Sequence, residues 1–346
     1  MPMQKPSKEW LGGDELHPKL LQWIAHKNLW NLWVPTEYGG LQSSLSDGLE
    51  ILRTLAKWEG SLGWTVTLCS GANYFVGNLE KEKADEIFLG SPLPVFGGSG
   101  AIGGTAERWE GGYLISGIWK YATGAPYLTH FTLNAKILEN GKELRTEDGQ
   151  SKIQSFILKK EQVEIIKDWN TMGLRATATH SFQVHSQYVE RSQSFVYNKV
   201  YHPNPIFKIP FSVFADLTLW ANYLGLAEHF LEEAHIILGS LEQLKLLKAT
   251  LTKAYKDMRS DADTIESWIG NDTNISESYI TEIHRKATYS VQNLTEAIIR
   301  LYPLLGIRGA SEHHKINKIF KDFFTATQHH IFSPMGRRGS IKVFKP

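Results

Sequence analysis

The sequence predicts an α+β fold that is mostly α. It divides into an N-terminal helical domain over residues 1–91, a middle domain built on an antiparallel β-sheet or small barrel over residues 92–201, and an up-and-down helical bundle with a short tail over residues 202–346. Three observations predict it. Apolar residues repeat every three or four positions in the first ninety residues, alternate in the middle third, and return to helical spacing after a proline-rich segment at 202–210.

In the first third, Leu16, Leu20, Ile24, Leu29 and Leu32 keep a helical spacing until Pro35 and Gly39-Gly40 break it. A second run begins near Ser46 and carries Leu49, Leu52, Leu55 and Ala56 on one stripe. A third, over 81–89, stops at Gly90 before Ser91-Pro92.

In the middle third, Phe131, Leu133, Ala135 and Ile137 alternate with polar residues, the pattern of a half-buried strand. Further strands are expected over 113–121, 153–158 and 182–189. Glu110-Gly111-Gly112 and Asn140-Gly141 stand where hairpin turns need positive φ. No GxGxxG runs from a strand into a helix and no GxxxxGK[ST] is present, which leaves Rossmann and P-loop sites without support.

After the prolines at 203, 205 and 210, the residues Ile283, Ala287, Val291, Leu294, Ile298, Leu301 and Leu305 advance by three or four and form the buried stripe of a long helix. Asn274 with Glu277 reads as its capping box. Leu244, Leu247, Leu251, Tyr255 and Met258 give a second stripe, so the chain closes as a bundle.

Composition narrows the function classes. Thirty-seven Lys and Arg against 36 Asp and Glu leave a net charge of +1, without the cationic field that nucleic acid or a membrane surface selects. One cysteine, Cys69, excludes an intrachain disulfide and a Cys-based zinc site and fits a reducing, cytoplasmic setting. No stretch has the roughly 20 uninterrupted apolar residues of a spanning helix, and the first residues lack the apolar core of a signal peptide. His313-His314 and His329-His330 are adjacent pairs, which on a helix point about 100° apart and do not chelate together, so no metal site is expected.

The order of helices, sheet and helices, together with four motifs, resembles the acyl-CoA dehydrogenase superfamily. Val34-Pro35-Thr36-Glu37-Tyr38-Gly39-Gly40 is similar to its vPxeyGG junction. Residues 111–124, ending Trp119-Lys120-Tyr121-Ala122-Thr123-Gly124, resemble the hairpin and strand that lie against the flavin ring. Residues 168–179, with Trp169, Gly173, Leu174 and Arg175, are similar to its W…GLRgTgS segment, and residues 304–329 to its last helices. The resemblance implies a flavoprotein holding FAD or FMN near Trp119, Ala122, Thr123, Gly124, Trp169 and Arg175. It also implies a homotetramer or homodimer in which 306–309, Gly309 included, completes a neighbour's cofactor site.

Two chemistries occur in that superfamily. Dehydrogenation needs a carboxylate at the substrate α-carbon. The usual glutamate position falls at Lys321, and the alternative one falls at Ala215, with Asp216 one residue off. No TEPxxGSD or RxxFG segment is present. The reduced-flavin monooxygenase branch, which takes its flavin from a separate reductase and acts on small organic substrates, is matched more closely. Its GxWxxxSG is met by Gly117, Trp119, Thr123 and Gly124, and its (R/K)D…a…H by Lys321, Asp322, Ala326 and His329. The resemblance therefore implies Thr123 as a hydrogen-bond donor to flavin N5, His329 as the group that orients or deprotonates a substrate hydroxyl, and Asp322 as a third catalytic candidate or a helix-end partner. An FAD-dependent acyl-CoA dehydrogenase, and a scaffold that has lost flavin, are the two alternatives.

Overall fold

A computed structural model describes residues 3–90, 92–197, 199–239 and 242–333. Ser91 of the expected helix stop and the basic tail from Pro334 onward lie outside the described residues.

Helix α1 (Pro18–His26) starts at a proline with His17 capping the Lys19 N–H, and α2 (Leu45–Trp58) starts where Ser44 accepts from the Asp47 N–H. The next helix, α3 (Gly60–Asn73), carries no amphipathic signal, because twelve of its fourteen residues are buried and no solvent face exists to alternate with. Its N-cap is Glu59, which accepts the Leu62 N–H at 2.7 Å. Helix α4 (Lys81–Phe88) closes this layer.

Among the described residues eight strands form one sheet: β1 (Phe96–Trp109), β2 (Gly112–Ala122), β3 (His130–Glu139), β4 (Lys142–Glu143), β5 (Ile153–Lys159), β6 (Glu164–Ile166), β7 (His180–Glu190) and β8 (Ser194–Phe195). Their order is β6-β7-β2-β1-β3-β5-β8, with β4 on β3. The sheet is mixed, which corrects the expected antiparallel one, since β1 and β3 run parallel from Phe96↔His130 to Glu107↔Leu138. The cause is local. After β2 ends at Ala122, the chain steps across the start of β1 through a single turn at Ala125–Tyr127 and enters β3 beside it.

Strand β1 is glycine-rich and escapes the alternation pattern. Its glycines serve contact: a Cβ on Gly98 would lie 1.9 Å from the Thr132 carbonyl oxygen. The Asn140-Gly141 turn takes the expected positive φ values of 52° and 72° between β3 and β4.

The C-terminal helices are α5 (Phe211–Leu238), α6 (Glu242–Gly270), α7 (Glu277–Leu301), the short α8 (Ile307–Ala310) and α9 (Lys315–Ala326). Helix α5 is apolar along most of its length and packs on α2, α3, α6, α7 and α9. The α7 stripe is buried as expected, but the helix ends at Leu301. Pro303 follows, and Leu305 reaches the core from a 3-10 turn. The cap of α7 is Ser276, whose hydroxyl accepts the Tyr279 N–H at 3.3 Å, and not Asn274. Among the described residues no helix is long and apolar enough to cross a membrane.

Candidate functional site

The step from β2 over the start of β1 puts Tyr121, Ala122, Thr123 and Gly124 at a corner where three other parts of the chain meet. Helix α3 lies beneath it, with the Cys69 thiol 3.7 Å from the Thr123 carbonyl oxygen, and burial pushes that thiol's pKa up. The segment 168–180 lies beside it: the Gly124 N–H donates to the Thr177 carbonyl at 2.8 Å, with Gly124 at φ 75°. Helix α9 closes it from the far side, packing on α3 and α5.

A buried line of hydroxyls joins these parts. Thr123 Oγ1 is 3.1 Å from Thr179 Oγ1, which is 2.7 Å from Thr177 Oγ1, and Thr177 donates to the Leu174 carbonyl at 2.7 Å. The same carbonyl accepts the Trp169 indole N–H at 3.0 Å. The Leu174 N–H donates to Asp322 Oδ1 at 2.6 Å. Gly173 permits this, because a Cβ there would lie 2.2 Å from the Lys321 carbonyl carbon and oxygen.

Asp322 is buried at 3% exposure, and its Oδ2 is 3.0 Å from Lys318, which reaches Glu59 at 3.2 Å. Burial raises the Asp322 pKa, and Glu59 adds to the rise against the opposing pull of Lys318. Burial alone would lower Lys318, but Glu59 and Asp322 outweigh it and hold the ammonium above its ordinary value. One cation thus sits between two buried carboxylates.

The expected site residues fall into groups. Thr123, Gly124, Trp169 and Asp322 are brought together by this network. Ala122 is buried at the end of β2, paired with His180. Trp119 is fully buried inside the sheet, stacked on Phe182 at 5.6 Å, with its N–H on the Asn134 carbonyl at 2.8 Å. Arg175 is exposed and lies 3.3 Å from Asp14. Gly309, in α8, accepts the Asn317 side-chain N–H at 2.7 Å. His329 follows the end of α9 and meets Trp64 of α3 edge-on, with ring centroids 5.6 Å apart. Its pairing with His330 departs from expectation: both lie beyond the helix, so the rings stand side by side at 4.6 Å and do not diverge. No group of three or more His, Cys, Asp or Glu among the described residues could hold a metal ion.

The two positions weighed for a dehydrogenase base are engaged elsewhere. Asp216 is fully buried 3.0 Å from His284 Nδ1, and Lys321 pairs with Glu312 at 2.9 Å. Residues that sequence reasoning passed over are Trp64, Glu59 and Lys318, which nothing in their spacing singles out, and Thr177 and Thr179, which stood inside a quoted motif.

The corner has the character of a cradle for a planar ligand. Tyr121, whose ring is edge-on to Trp169 at 5.5 Å, is 46% exposed. Beneath the corner, the hydroxyl of Thr65 is buried without a hydrogen-bond partner. Apolar planes beside hydroxyl groups fit an isoalloxazine.

Residues 243–334 match the family described as acyl-CoA dehydrogenase, C-terminal domain. Indole-3-acetate monooxygenase of Acinetobacter baumannii is 24% identical over 321 residues, covering 86% of this chain and 79% of that protein. The Pseudomonas putida protein of the same name is 30% identical over 201 residues, 58% of this chain and half the length of that relative. Among solved structures, XiaF from Streptomyces sp. in complex with FADH2 and glycerol superposes with a TM-score of 0.82 at 19% identity, covering 92% of this chain and 86% of that one.

Proposed function

We propose that the chain is a member of the acyl-CoA dehydrogenase superfamily and, within it, a reduced-flavin monooxygenase that hydroxylates or oxygenates a small organic substrate. A separate flavin reductase supplies its FADH2 or FMNH2. The observation that carries this reading is the state of the carboxylate at the corner. Asp322 commits one oxygen to the Leu174 N–H and the other to Lys318, and Lys321 stands where a dehydrogenase has its base. A buried carboxylate with both oxygens already engaged is poorly placed to take an α-proton.

A bound reduced flavin activates O2 and supplies one of its oxygen atoms to the substrate. The protein's part is positional and protic. Tyr121 and Trp169 bound the ring, with Ala122 and Gly124 shaping the corner and Trp119 supporting it from inside the sheet. Thr123 offers a hydroxyl at the ring edge. His329, held against Trp64, orients the substrate or takes its proton. Arg175 and Gly309 are the remaining cofactor contacts in this reading, Gly309 toward a neighbouring subunit of a homotetramer or homodimer. The division at 91/92 and 201/202 and a cytoplasmic location belong to the same proposal; its supports are the element order and the lone buried thiol.

The test is reconstitution with FMN and FAD in both redox states, followed by turnover with a flavin reductase and 18O2 on a panel of small aromatic compounds. Preferential binding of reduced flavin and label in the product are expected. Tight oxidised FAD that an acyl-CoA bleaches would replace the reading with dehydrogenation, and no binding of any flavin would leave a scaffold.

A further inference from the structure

The line of hydroxyls has a direction. A threonine hydroxyl carries one proton, and a backbone carbonyl carries none to give. Thr177 Oγ1 spends its proton on the Leu174 carbonyl at 2.7 Å. The 2.7 Å contact between Thr177 and Thr179 is then a hydrogen bond only if Thr179 donates. Thr179 in turn has no proton left for the 3.1 Å contact with Thr123, so Thr123 donates inward to Thr179. The proton order is fixed from the Leu174 end, and Thr123 Oγ1 is left with lone pairs to present.

The Leu174 end is itself fixed. Its carbonyl takes three donors, the Thr177 hydroxyl at 2.7 Å, the Trp169 indole N–H at 3.0 Å and the Thr177 backbone N–H at 3.2 Å, of which the hydroxyl is the nearest, and its N–H is held by the carboxylate of Asp322. Leu174 sits at φ 51°, and the Thr177 carbonyl ties the loop to the turn through the Gly124 N–H. Thr123, Thr177 and Thr179 are all at most 6% exposed, so water does not readily reorder the line.

We propose that this one-way hydroxyl line, Thr123 to Thr179 to Thr177 to the Leu174 carbonyl, selects the reduced form of a flavin by presenting an acceptor at the corner. Reduced flavin carries a proton on N5 and can donate to that acceptor. Oxidised flavin has only a lone pair there, which faces the lone pairs of Thr123. The role is the reverse of the donor role that the sequence motif implies for Thr123. Thr177, Thr179 and Asp322 are positioning residues, acting through Thr123. The inference rests on the proposed function for its ligand.

The experiment measures the dissociation constants of oxidised and reduced flavin, and the midpoint potential of the bound flavin, in the full-length wild type and in Thr179→Val, Thr179→Ser and Thr177→Val. Thermal unfolding verifies that each variant is folded. Removing the Thr179 hydroxyl frees the Thr123 proton to donate outward. Thr179→Val is therefore expected to tighten oxidised flavin, lowering the ratio of oxidised to reduced dissociation constants about tenfold, the worth of one hydrogen bond. For a two-electron couple this lowers the bound potential by about 30 mV. Thr177→Val is expected to move both readouts the same way, because the line loses its fixed end, and Thr179→Ser is expected to keep the wild-type values. A preference and potential unchanged in both valine variants would overturn the inference and leave the flavoprotein reading intact. Wild-type protein that binds oxidised flavin more tightly would also overturn it. Wild-type protein that binds neither form would overturn both readings.

Discussion

Trp64 and His329, 265 positions apart in the sequence, meet as indole and imidazole edge-to-face, with an interplanar angle of 72°. The contact locks the turn after α9 onto α3 and fixes which way the imidazole faces. If His329 moves a proton in the reaction, His329→Ala should lower kcat by roughly 10²-fold or more while flavin affinity stays near wild type. Equal rates in the variant and the wild type, measured as product formed per enzyme, would remove His329 from the mechanism.

Thr123 offers a second kinetic test. Thr123→Ala should lower product turnover by roughly 10²-fold, whereas Thr123→Ser, which keeps the hydroxyl, should retain most of it. Product yield per reduced flavin consumed is the measurement. A Thr123→Ala enzyme with full yield would reduce that corner to a structural turn.

Strand β1 separates two kinds of glycine. A Cβ on Gly98 would meet the Thr132 carbonyl oxygen at 1.9 Å, while one on Gly100 would meet nothing within 4 Å. Gly98→Ala should therefore destabilise the protein by about 3 kcal/mol or more, and Gly100→Ala by about 0.5 kcal/mol or less. Denaturant midpoints of the two variants check this directly, and equal midpoints would contradict the close β1–β3 approach.

Acid should weaken the fold through two histidines. Burial lowers His130 to about 4, with Lys159 adding to it. Burial also lowers His229 to about 3, with Lys315, Lys5, Lys318 and Lys57 adding to it. Both groups are neutral when folded and take up a proton more easily when unfolded. Above about pH 6.5 both states are neutral and nothing is lost; as pH falls below it the unfolded state takes up protons that the folded state refuses, and the loss levels off only once pH passes the folded values. Between about pH 6 and 4 each contributes a loss of roughly 1.4 kcal/mol per pH unit. His229→Leu should make the fall in unfolding free energy shallower by about that amount, as read from denaturation curves at pH 7, 6 and 5. An unchanged slope would show that His229 is not buried neutral.

The legible parts of the fold were those in which apolar and polar residues alternate; in β3 the polar positions Thr132 and Asn134 are themselves buried, so the strand expected to be half-buried is covered on both faces at its centre. Helices α2, α6 and α7 and strand β3 each set apolar residues against polar ones, and their periods could be read directly. Helix α3 and strand β1 were not legible, for opposite reasons. The first is buried all round and so has no period, and the second replaces side chains with glycines because neighbouring strands lie where Cβ atoms would be. The candidate site shows the same division. Thr123, Gly124 and Trp169 sit in local motifs, while Glu59, Lys318 and Trp64 reach the corner from helices whose spacing says nothing about it.

By itself, the sequence determined the order of helices, strands and helices and the hairpin turns, because each of these is a property of neighbours along the chain. Only the tertiary structure decided that β3 runs parallel to β1, that Asp322 is held by Leu174 and Lys318, and that three threonine hydroxyls share one proton order. Those relations join groups as much as 148 positions apart, and a hydrogen bond's direction depends on every partner in reach, which no local pattern encodes.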